Sequence, residues 1–440
     1  MLFTKRCFYA AVMALAFLLA GNTLYGQSFK EKLESIPQVK SVIELESSEF
    51  GEKYLCLFEQ PIDHKDLSKG TFTQRIFVGH VDCDSATVIV TEGYAGNYAM
   101  RPAYRDEISR MFNTNNILVE HRYFAESSPY KGLEPSEIDW TYLNGENAAN
   151  DLHNVTTAFK SLYNGKWIST GISKGGQNTM IYRTFFPDDV DLSVPYVGPL
   201  CRAAQDGRHE SFIADFVGTP QERERVLNFQ IEILKRKERL LPAFDSLCKA
   251  NKLEFNLPVD HIYDYNLLEF SFAFWQWGYP VDQIPSCDAS DKELFNYFIS
   301  VCSPDYFVKW SSTTPFFVQA AKELGYYGYD LKPFRKYRKL FSINNTRDYL
   351  HKIMLPQGKQ FQFSTKLYHQ ISAFLLETDA KFIFIYGEFD PWTAVKPSDP
   401  HKENIKFYIH PEGSHRARIS SFDPFTQAQI KSEIADVLYN

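Results

Sequence analysis

The hydrophobic and polar positions of the chain first follow the period of β-strands. The runs Glu52–Gln60 and Thr71–Val78 are rich in β-forming residues and flank a polar turn at His64–Gly70. Two such runs joined by a polar turn are typical of a β-hairpin. We therefore expect the fold to open with an antiparallel pair of strands.

Further along, short apolar runs alternate with a helical pattern. Four of these runs are predicted strands: Thr87–Thr91, Ile117–Glu120, Trp167–Thr170 and Leu192–Val197. From Ala148 to Leu162, apolar residues recur at spacings of four and three, which indicates an amphipathic helix. Alternating strands and helices predict an α/β fold with a largely parallel sheet that is covered on both faces.

The alternation stops after Leu200 and returns only near the carboxyl end. The next short apolar strands are Lys381–Tyr386 and Ile405–Ile409, whereas Pro220–Leu241 is charged and helical. An interruption of about 160 residues far exceeds the usual connection of about 2 to 6 residues. The sheet is therefore expected to contain an inserted unit.

This insertion divides the chain into two predicted domains. We expect an α/β catalytic domain at residues 27–200 and 368–440, and a large, mostly helical cap domain at residues 201–367. A cap in this position is a candidate lid over the site.

The first 26 residues have the order of a secretory signal peptide. Two basic residues precede the apolar run Cys7–Ala20, and small and polar residues follow up to Gly26. The run is shorter than the roughly 20 apolar residues of a membrane-spanning helix, although a retained anchor is the alternative. We expect cleavage before Gln27, or else at Ala20. The mature protein is then expected to be periplasmic or secreted and not anchored in the membrane.

Composition places the chain among globular proteins. Of its 440 residues, 44% are hydrophobic and 23% are charged, values that exclude a disordered or fibrous chain. The net charge of -7 argues against a nucleic-acid partner, because duplex binders present a net basic face. The aromatic share of 16% is high and favours aromatic-lined grooves.

The cysteines leave two interpretations open. Those after the predicted signal peptide are Cys56, Cys83, Cys201, Cys248, Cys287 and Cys302. An even number in an oxidising compartment permits disulfides of undetermined pairing, and buried free thiols are the alternative. No close cysteine pair, HExxH, GxxxxGK[ST] or GxGxxG pattern occurs, so we expect neither a metal nor another cofactor.

A serine between glycines follows the predicted strand Trp167–Thr170 and precedes the helical stretch Gln177–Phe185. The segment reads Gly171-Ile172-Ser173-Lys174-Gly175-Gly176. In a nucleophile elbow, a sharp strand-to-helix turn exposes the serine hydroxyl, and glycine neighbours avoid clashes. We therefore predict that Ser173 is a catalytic nucleophile rather than part of an ordinary glycine turn.

A serine nucleophile needs an imidazole base and an acid that orients the base. Asp390 follows a predicted strand, with Glu388 as the alternative acid. His415 lies in the loop beyond the last predicted strand, whereas His410 lies at the end of that strand. Suitable residues in the order serine, acid, histidine, each after its own strand, predict a triad of Ser173, Asp390 and His415.

The oxyanion of an acyl-transfer reaction needs preorganised donors. One expected donor is the backbone N–H of Lys174, directly after the serine. Gly93 and Tyr94, in the loop after Thr87–Thr91, are candidates for the other, through a backbone N–H or the Tyr94 hydroxyl. A plain glycine turn is the alternative for this loop. For the Lys174 side chain we expect a salt bridge that turns it away from the site.

Together these segments resemble a family of secreted serine peptidases. The similar segments are Thr91-Glu92-Gly93-Tyr94, Glu120-His121-Arg122-Tyr123-Phe124 with Ser127-Ser128-Pro129, Gly171-Ile172-Ser173-Lys174-Gly175-Gly176, Gly387-Glu388-Phe389-Asp390-Pro391-Trp392 and Gly413-Ser414-His415. The family is that of the bacterial tripeptidyl aminopeptidases, which are related to prolyl carboxypeptidases and dipeptidyl peptidases. The resemblance implies an α/β-hydrolase with a helical cap and an exopeptidase that favours proline before the scissile bond. Lys174 replaces the aromatic residue of the prolyl carboxypeptidase branch, so the chain aligns with the bacterial branch.

Glu92 and two tryptophans are the candidate substrate-binding residues. An aminopeptidase needs a carboxylate for the ammonium group of its substrate, and Glu92 adjoins the predicted oxyanion loop. A salt bridge from Glu92 to Arg122 is the structural alternative. In the aromatic run Phe270–Tyr279 we expect most rings in a core, but Trp275 or Trp277 in the flat wall of a proline pocket.

The sequence thus predicts a secreted serine exopeptidase that releases short peptides from free amino termini. Its expected partner is a peptide with a free amino terminus. An esterase or lipase with the same triad is the alternative, and it would have an open cap groove without an ionic anchor. A binding protein that has lost catalysis is disfavoured by the intact Ser173, Asp390 and His415.

Overall fold

The computed structural model describes residues 28–439 and is built around a nine-stranded sheet. Its strands are β1 (Val39–Glu44), β2 (Glu52–Pro61), β3 (Thr71–His80), β4 (Thr87–Thr91), β5 (Asn115–Val119), β6 (Trp167–Ile172), β7 (Leu192–Tyr196), β8 (Lys381–Gly387) and β9 (Ile405–His410). They lie in the order β1-β2-β3-β5-β4-β6-β7-β8-β9. The predicted signal peptide and its cleavage site lie outside the described residues.

The sheet changes from antiparallel to parallel along its width. The pairs β1–β2, β2–β3 and β3–β5 are antiparallel. Every pair from β5–β4 to β8–β9 is parallel, and the order of the strands reverses once, at β5-β4. This is the topology of an α/β-hydrolase, and it confirms the predicted fold class.

The predicted hairpin corresponds to β2 and β3, which pair in register from Glu52 opposite His80 to Pro61 opposite Thr71. β1 was not predicted from the sequence. It is an edge strand in which only Val39 and Val42 are buried, so its hydrophobic signal is weak.

Helices cover both faces of the sheet. They are α1 (Phe29–Glu34), α2 (Glu107–Phe112), α3 (Gly145–Phe159), α4 (Lys174–Phe185), α5 (Arg208–Asp215), α6 (Pro220–Lys235), α7 (Lys237–Ala250), α8 (Val259–Trp277), α9 (Asp291–Val301), α10 (Thr314–Gln319), α11 (Lys366–Glu377) and α12 (Pro424–Tyr439). The predicted amphipathic helix is α3, which buries Leu152, Val155 and Phe159 against the sheet. No helix within residues 28–439 has both the length and the apolar character needed to cross a membrane.

Between β7 and β8 the described chain contains helices and turns but no strand. Here α5 to α10 pack around a shared apolar core. α8 runs through this core and buries Leu267, Phe270 and Phe274 completely. The predicted helix Pro220–Leu241 is in fact two helices, because the backbone at Arg236 leaves the helical region between α6 and α7.

The six cysteines of residues 28–439 are free thiols. Cys56, Cys201, Cys248 and Cys302 are buried, and burial raises the pKa of the Cys56 thiol to about 12. The alternative of buried free thiols therefore describes most of them, while Cys287 is exposed.

Candidate active site

Ser173 lies at the turn between β6 and α4. Its backbone has a φ of 58° and a ψ of -121°, a conformation that costs energy for any residue with a Cβ. Its N–H donates to the carbonyl of Tyr196 at 2.9 Å, and its carbonyl accepts the N–H of Gln177 at 2.9 Å. The turn therefore has the backbone geometry of a nucleophile elbow.

Two neighbouring glycines make this turn possible. A Cβ on Gly171 would lie 2.4 Å from the carbonyl oxygen of Gly175, and one on Gly176 would lie 2.6 Å from the carbonyl oxygen of Tyr196. Both obstacles are backbone atoms, which cannot move without shifting α4 or β7. The close approach of these elements therefore requires glycine at both positions.

His415 and Asp390 form a buried pair. Nδ1 of His415 lies 2.6 Å from Oδ2 of Asp390, and the side chains are 5% and 0% exposed. Oδ1 of Asp390 accepts the N–H of Trp392 at 3.1 Å. When Nδ1–H donates to the carboxylate, Nε2 is the basic nitrogen of the ring. Nε2 is buried and has no hydrogen-bond partner within residues 28–439.

Glu388 and His410 lie apart from this pair. Glu388 accepts the backbone N–H of Glu412 at 2.8 Å, and Nε2 of His410 lies 2.7 Å from the carbonyl oxygen of Ser421. The structure thus brings Asp390, and not Glu388, to a histidine.

Ser173 and His415 line the same cavity, which has a volume of about 1210 Å³. The loop after β4 and the start of α4 form one wall. α8 and residues within 301–317 also line the cavity. A cavity of this size accommodates a short peptide.

Glu92 holds the loop after β4. Its Oε1 accepts the backbone N–H groups of Gly93 and Tyr94 at 2.8 and 3.0 Å, and its Oε2 accepts the hydroxyl of Tyr98. In this structure both amides donate to Glu92, so neither the Gly93 nor the Tyr94 amide is free for the predicted role of binding an oxyanion. The alternative salt bridge between Glu92 and Arg122 is wrong, since Arg122 pairs with a different carboxylate at 2.7 Å.

Two other donors belong to residues that line the cavity with Ser173. Lys174 is the first residue of α4, so its backbone N–H has no acceptor within the helix. Tyr94 lines the cavity, and burial raises the pKa of its hydroxyl, which therefore keeps its proton at neutral pH. Gly93 lets the loop approach α4, because a Cβ there would lie 2.7 Å from the backbone nitrogen of Gly175.

The Lys174 side chain turns toward aromatic rings. Its Nζ lies 5.9 Å from the ring centroid of Tyr94 and 5.5 Å from that of Phe124. Among the described residues no acceptor forms a hydrogen bond with this buried Nζ. Burial lowers the pKa of the amine to about 7. The predicted salt bridge is therefore wrong. The Lys174 amine lies over two aromatic rings instead of pairing with a carboxylate.

α8 carries Trp275 and Trp277 to different sides. Trp277 is 41% exposed and lines the cavity, where its ring meets that of His415 edge-on at 6.0 Å. Trp275 is 5% exposed and packs against Phe274 and Phe389. Helix positions two apart point in nearly opposite directions, so of the two candidates Trp277 belongs to the cavity and Trp275 does not.

Glu269 is a cavity residue that the sequence analysis missed. It lies on α8, is 5% exposed, and accepts the hydroxyls of Tyr327 and Tyr329 at 3.0 and 2.8 Å. Burial raises the pKa of Glu269 to about 8. Asp264 of the same helix is instead paired with Lys237. An acidic residue in the middle of an aromatic helix is the sequence signal that points to Glu269.

Comparisons with known proteins agree with this geometry. The family described as PS-10 peptidase S37 matches residues 26–438. The prolyl tri/tetrapeptidyl aminopeptidase of Streptomyces mobaraensis is 27% identical over 449 residues, which span 98% of this chain and 90% of that protein.

Solved structures with related architecture include two hydrolases. An acetyl xylan esterase from Paenibacillus sp. R4 matches with a TM-score of 0.39 and 9% identity over 93% of both chains. The peroxisomal α/β-hydrolase Lpx1 from Saccharomyces cerevisiae matches with a TM-score of 0.39 and 10% identity over 90% of this chain and 91% of its own.

The family match covers nearly the whole described chain, and it includes the serine turn, the histidine–aspartate pair and the cavity between them. The chain therefore belongs to the PS-10 peptidase S37 family and is a serine-type peptidase.

Proposed function

We propose that this peptidase is a secreted or periplasmic exopeptidase that releases short peptides from free amino termini. Ser173 is the nucleophile, His415 is the general base, and Asp390 orients His415. The observation that carries this proposal is the buried Asp390–His415 pair. Nε2 of His415 has no hydrogen-bond partner within residues 28–439, and His415 lines the same cavity as Ser173. Export is supported by the basic and apolar pattern of the first 26 residues.

The proposed reaction proceeds in two halves. Nε2 of His415 takes the hydroxyl proton of Ser173 as Oγ attacks the scissile carbonyl carbon, and Asp390 stabilises the imidazolium that forms. His415 then gives this proton to the leaving amine, and the acyl group stays on Ser173. A water molecule, deprotonated by His415, attacks the ester, releases the short peptide and restores the serine.

The oxyanion is bound by the Lys174 N–H and the Tyr94 hydroxyl in this proposal. Both groups belong to residues that line the cavity with Ser173. The N-terminal end of α4 adds a favourable potential, because the helix dipole is positive there.

Trp277 forms the flat wall for a proline side chain in this proposal. Its exposed ring in the cavity, next to His415, supports that role. The relative from Streptomyces mobaraensis, whose name specifies prolyl substrates, supports the same preference.

Residues 201–367 act as a cap over Ser173 in this proposal, and residues 27–200 and 368–440 form the catalytic domain. The support is that α8, α9 and α10 line the same cavity as Ser173. A lid of this kind excludes folded polypeptides and favours chain ends.

Hydrolysis of matched substrates tests this function. The purified protein is given a chromogenic tripeptidyl amide that ends in proline, with a free or an acetylated amino terminus, and a simple ester of a comparable chromophore. We expect the highest kcat/KM for the free-amine amide and no cleavage above background by Ser173→Ala. A preference for the ester, with no discrimination between free and acetylated amides, would favour the alternative of an esterase.

A further inference from the structure

One face of α8 extends away from His415 along the cavity. Glu269, Ala273 and Gln276 all line the cavity at helical spacings of four and three. The carbonyl of Gln276 accepts the backbone N–H of His415 at 2.9 Å. This face therefore leads from the proposed catalytic histidine to Glu269.

The helix fixes the length of this face. The rise from Glu269 to Gln276 is about 10 Å, at roughly 1.5 Å per residue. An extended peptide spans about 3.5 Å per residue, so that three residues cover about 10 Å and two cover about 7 Å. Ala273, between the two ends, has a small side chain that leaves room for a peptide backbone.

The far end of the face is suited to a cation. Oε2 of Glu269 accepts the hydroxyls of Tyr327 and Tyr329, whereas Oε1 accepts only that of Tyr327, at 3.1 Å. Burial raises the pKa of Glu269, and the hydrogen bonds from Tyr329 and Tyr327 oppose this shift only in part. An ammonium group would supply the missing positive charge and favour the ionised carboxylate.

We propose that Glu269 binds the amino-terminal ammonium of the substrate and thereby measures the length of the released peptide. The inference rests on the proposed function, because the proposed function places the scissile carbonyl at Ser173. A dipeptide spans about 7 Å and is therefore shorter than the face from Gln276 to Glu269, whereas a peptide longer than three residues would have to bend. Glu92 is less suited to this role, because its Oε1 accepts two backbone N–H groups and its Oε2 the Tyr98 hydroxyl, whereas Oε1 of Glu269 accepts one hydroxyl that it shares with Oε2.

The test compares wild type, Glu269→Gln and the matched control Glu92→Gln. The substrates are dipeptidyl, tripeptidyl and tetrapeptidyl amides with the same residue before the scissile bond, each with a free and an acetylated amino terminus. For Glu269→Gln we expect kcat/KM to fall about ten- to hundredfold on the free tripeptidyl amide and to stay nearly constant on the acetylated one. For Glu92→Gln we expect similar factors on both.

Glutamine keeps the size of Glu269 and an oxygen for the tyrosine hydroxyls, so the variant is expected to fold with a thermal midpoint close to that of wild type. An unchanged preference for free amines in folded Glu269→Gln would overturn the inference, while cleavage by Ser173 would still support the proposed function. Failure of wild type to cleave any of these amides would overturn both.

Discussion

The two glutamates that line the cavity differ in their hydrogen-bond partners. Glu92 binds two amides of its own loop and Tyr98, whereas the partners of Glu269 within residues 28–439 are tyrosine hydroxyls. The position of Glu92 directly after a strand is visible in the sequence. The return of its side chain onto the next two amides is not, because that depends on the path of the loop in space.

Glu92→Gln tests the role of Glu92 as a brace. An amide has one oxygen where the carboxylate has two, so we expect a loss of about 1 to 2 kcal/mol in the free energy of unfolding. Urea unfolding measures this loss, and kcat/KM should fall by a similar factor for free and acetylated substrates. A loss confined to free-amine substrates would instead identify Glu92 as the ammonium anchor.

Lys174 should make stability depend on pH. Its pKa is about 7 in the folded chain and 10.5 at its ordinary value. Between these values the unfolded chain binds more protons, so this residue makes the free energy of unfolding rise with pH. Lys174→Met lacks this titration, so we expect the stability of wild type relative to this variant to increase by about 1.4 kcal/mol for each pH unit from 7 to 9.

Chemical unfolding of both proteins at pH 6, 7, 8 and 9 measures this difference. A stability difference that stays constant across this range would show that Lys174 is charged in the folded protein.

At the scale of elements, the β6–α4 turn depends on close backbone contact. A Cβ at residue 171 would lie 2.4 Å from the carbonyl oxygen of Gly175, so we expect Gly171→Ala to destabilise the protein by about 1 to 3 kcal/mol. Gly51→Ala is the control, because nothing lies within 4 Å of a Cβ there. Equal thermal midpoints for the two variants would contradict this account of the turn.

The spacing of apolar residues predicts the elements that pack against the core. It does not predict the features that depend on tertiary packing. β4 lies at Thr87–Thr91, as expected from its short run of β-branched residues, and all five residues are buried. β1 escaped prediction because it is an exposed edge, and the single helix expected from Pro220 breaks at Arg236. No sequence pattern shows the direction of Trp277, because that depends on how α8 lies against the sheet.

For the whole molecule, the alternation of strands and helices was sufficient to predict an α/β fold, and the resemblance to the peptidase family implied the α/β-hydrolase class. Each strand end that carries a candidate residue reaches the same edge of the parallel sheet, which is why Asp390 and His415 meet although 25 residues separate them. The residues that line the cavity were harder to predict. Glu269 reaches the cavity only through the packing of α8 over that edge.

The proposed cap over the cavity predicts selectivity for flexible chain ends. We expect a free-amine peptide to be cleaved at least about a hundredfold faster than a folded protein with the same amino-terminal residues, because the lid must admit the chain. Mass spectrometry of timed digests measures both rates. The same protein after unfolding serves as the control, and rapid internal cleavage of an acetylated polypeptide would contradict the role of the cap.

The central claim is that Ser173 forms the acyl-enzyme. The most direct measurement is mass spectrometry of the protein after reaction with a serine-directed phosphonate that carries a free-amine peptide. We expect one adduct per chain, located on Ser173, with loss of peptidase activity in proportion to labelling. An adduct on another residue, or full activity after complete labelling of Ser173, would contradict the account.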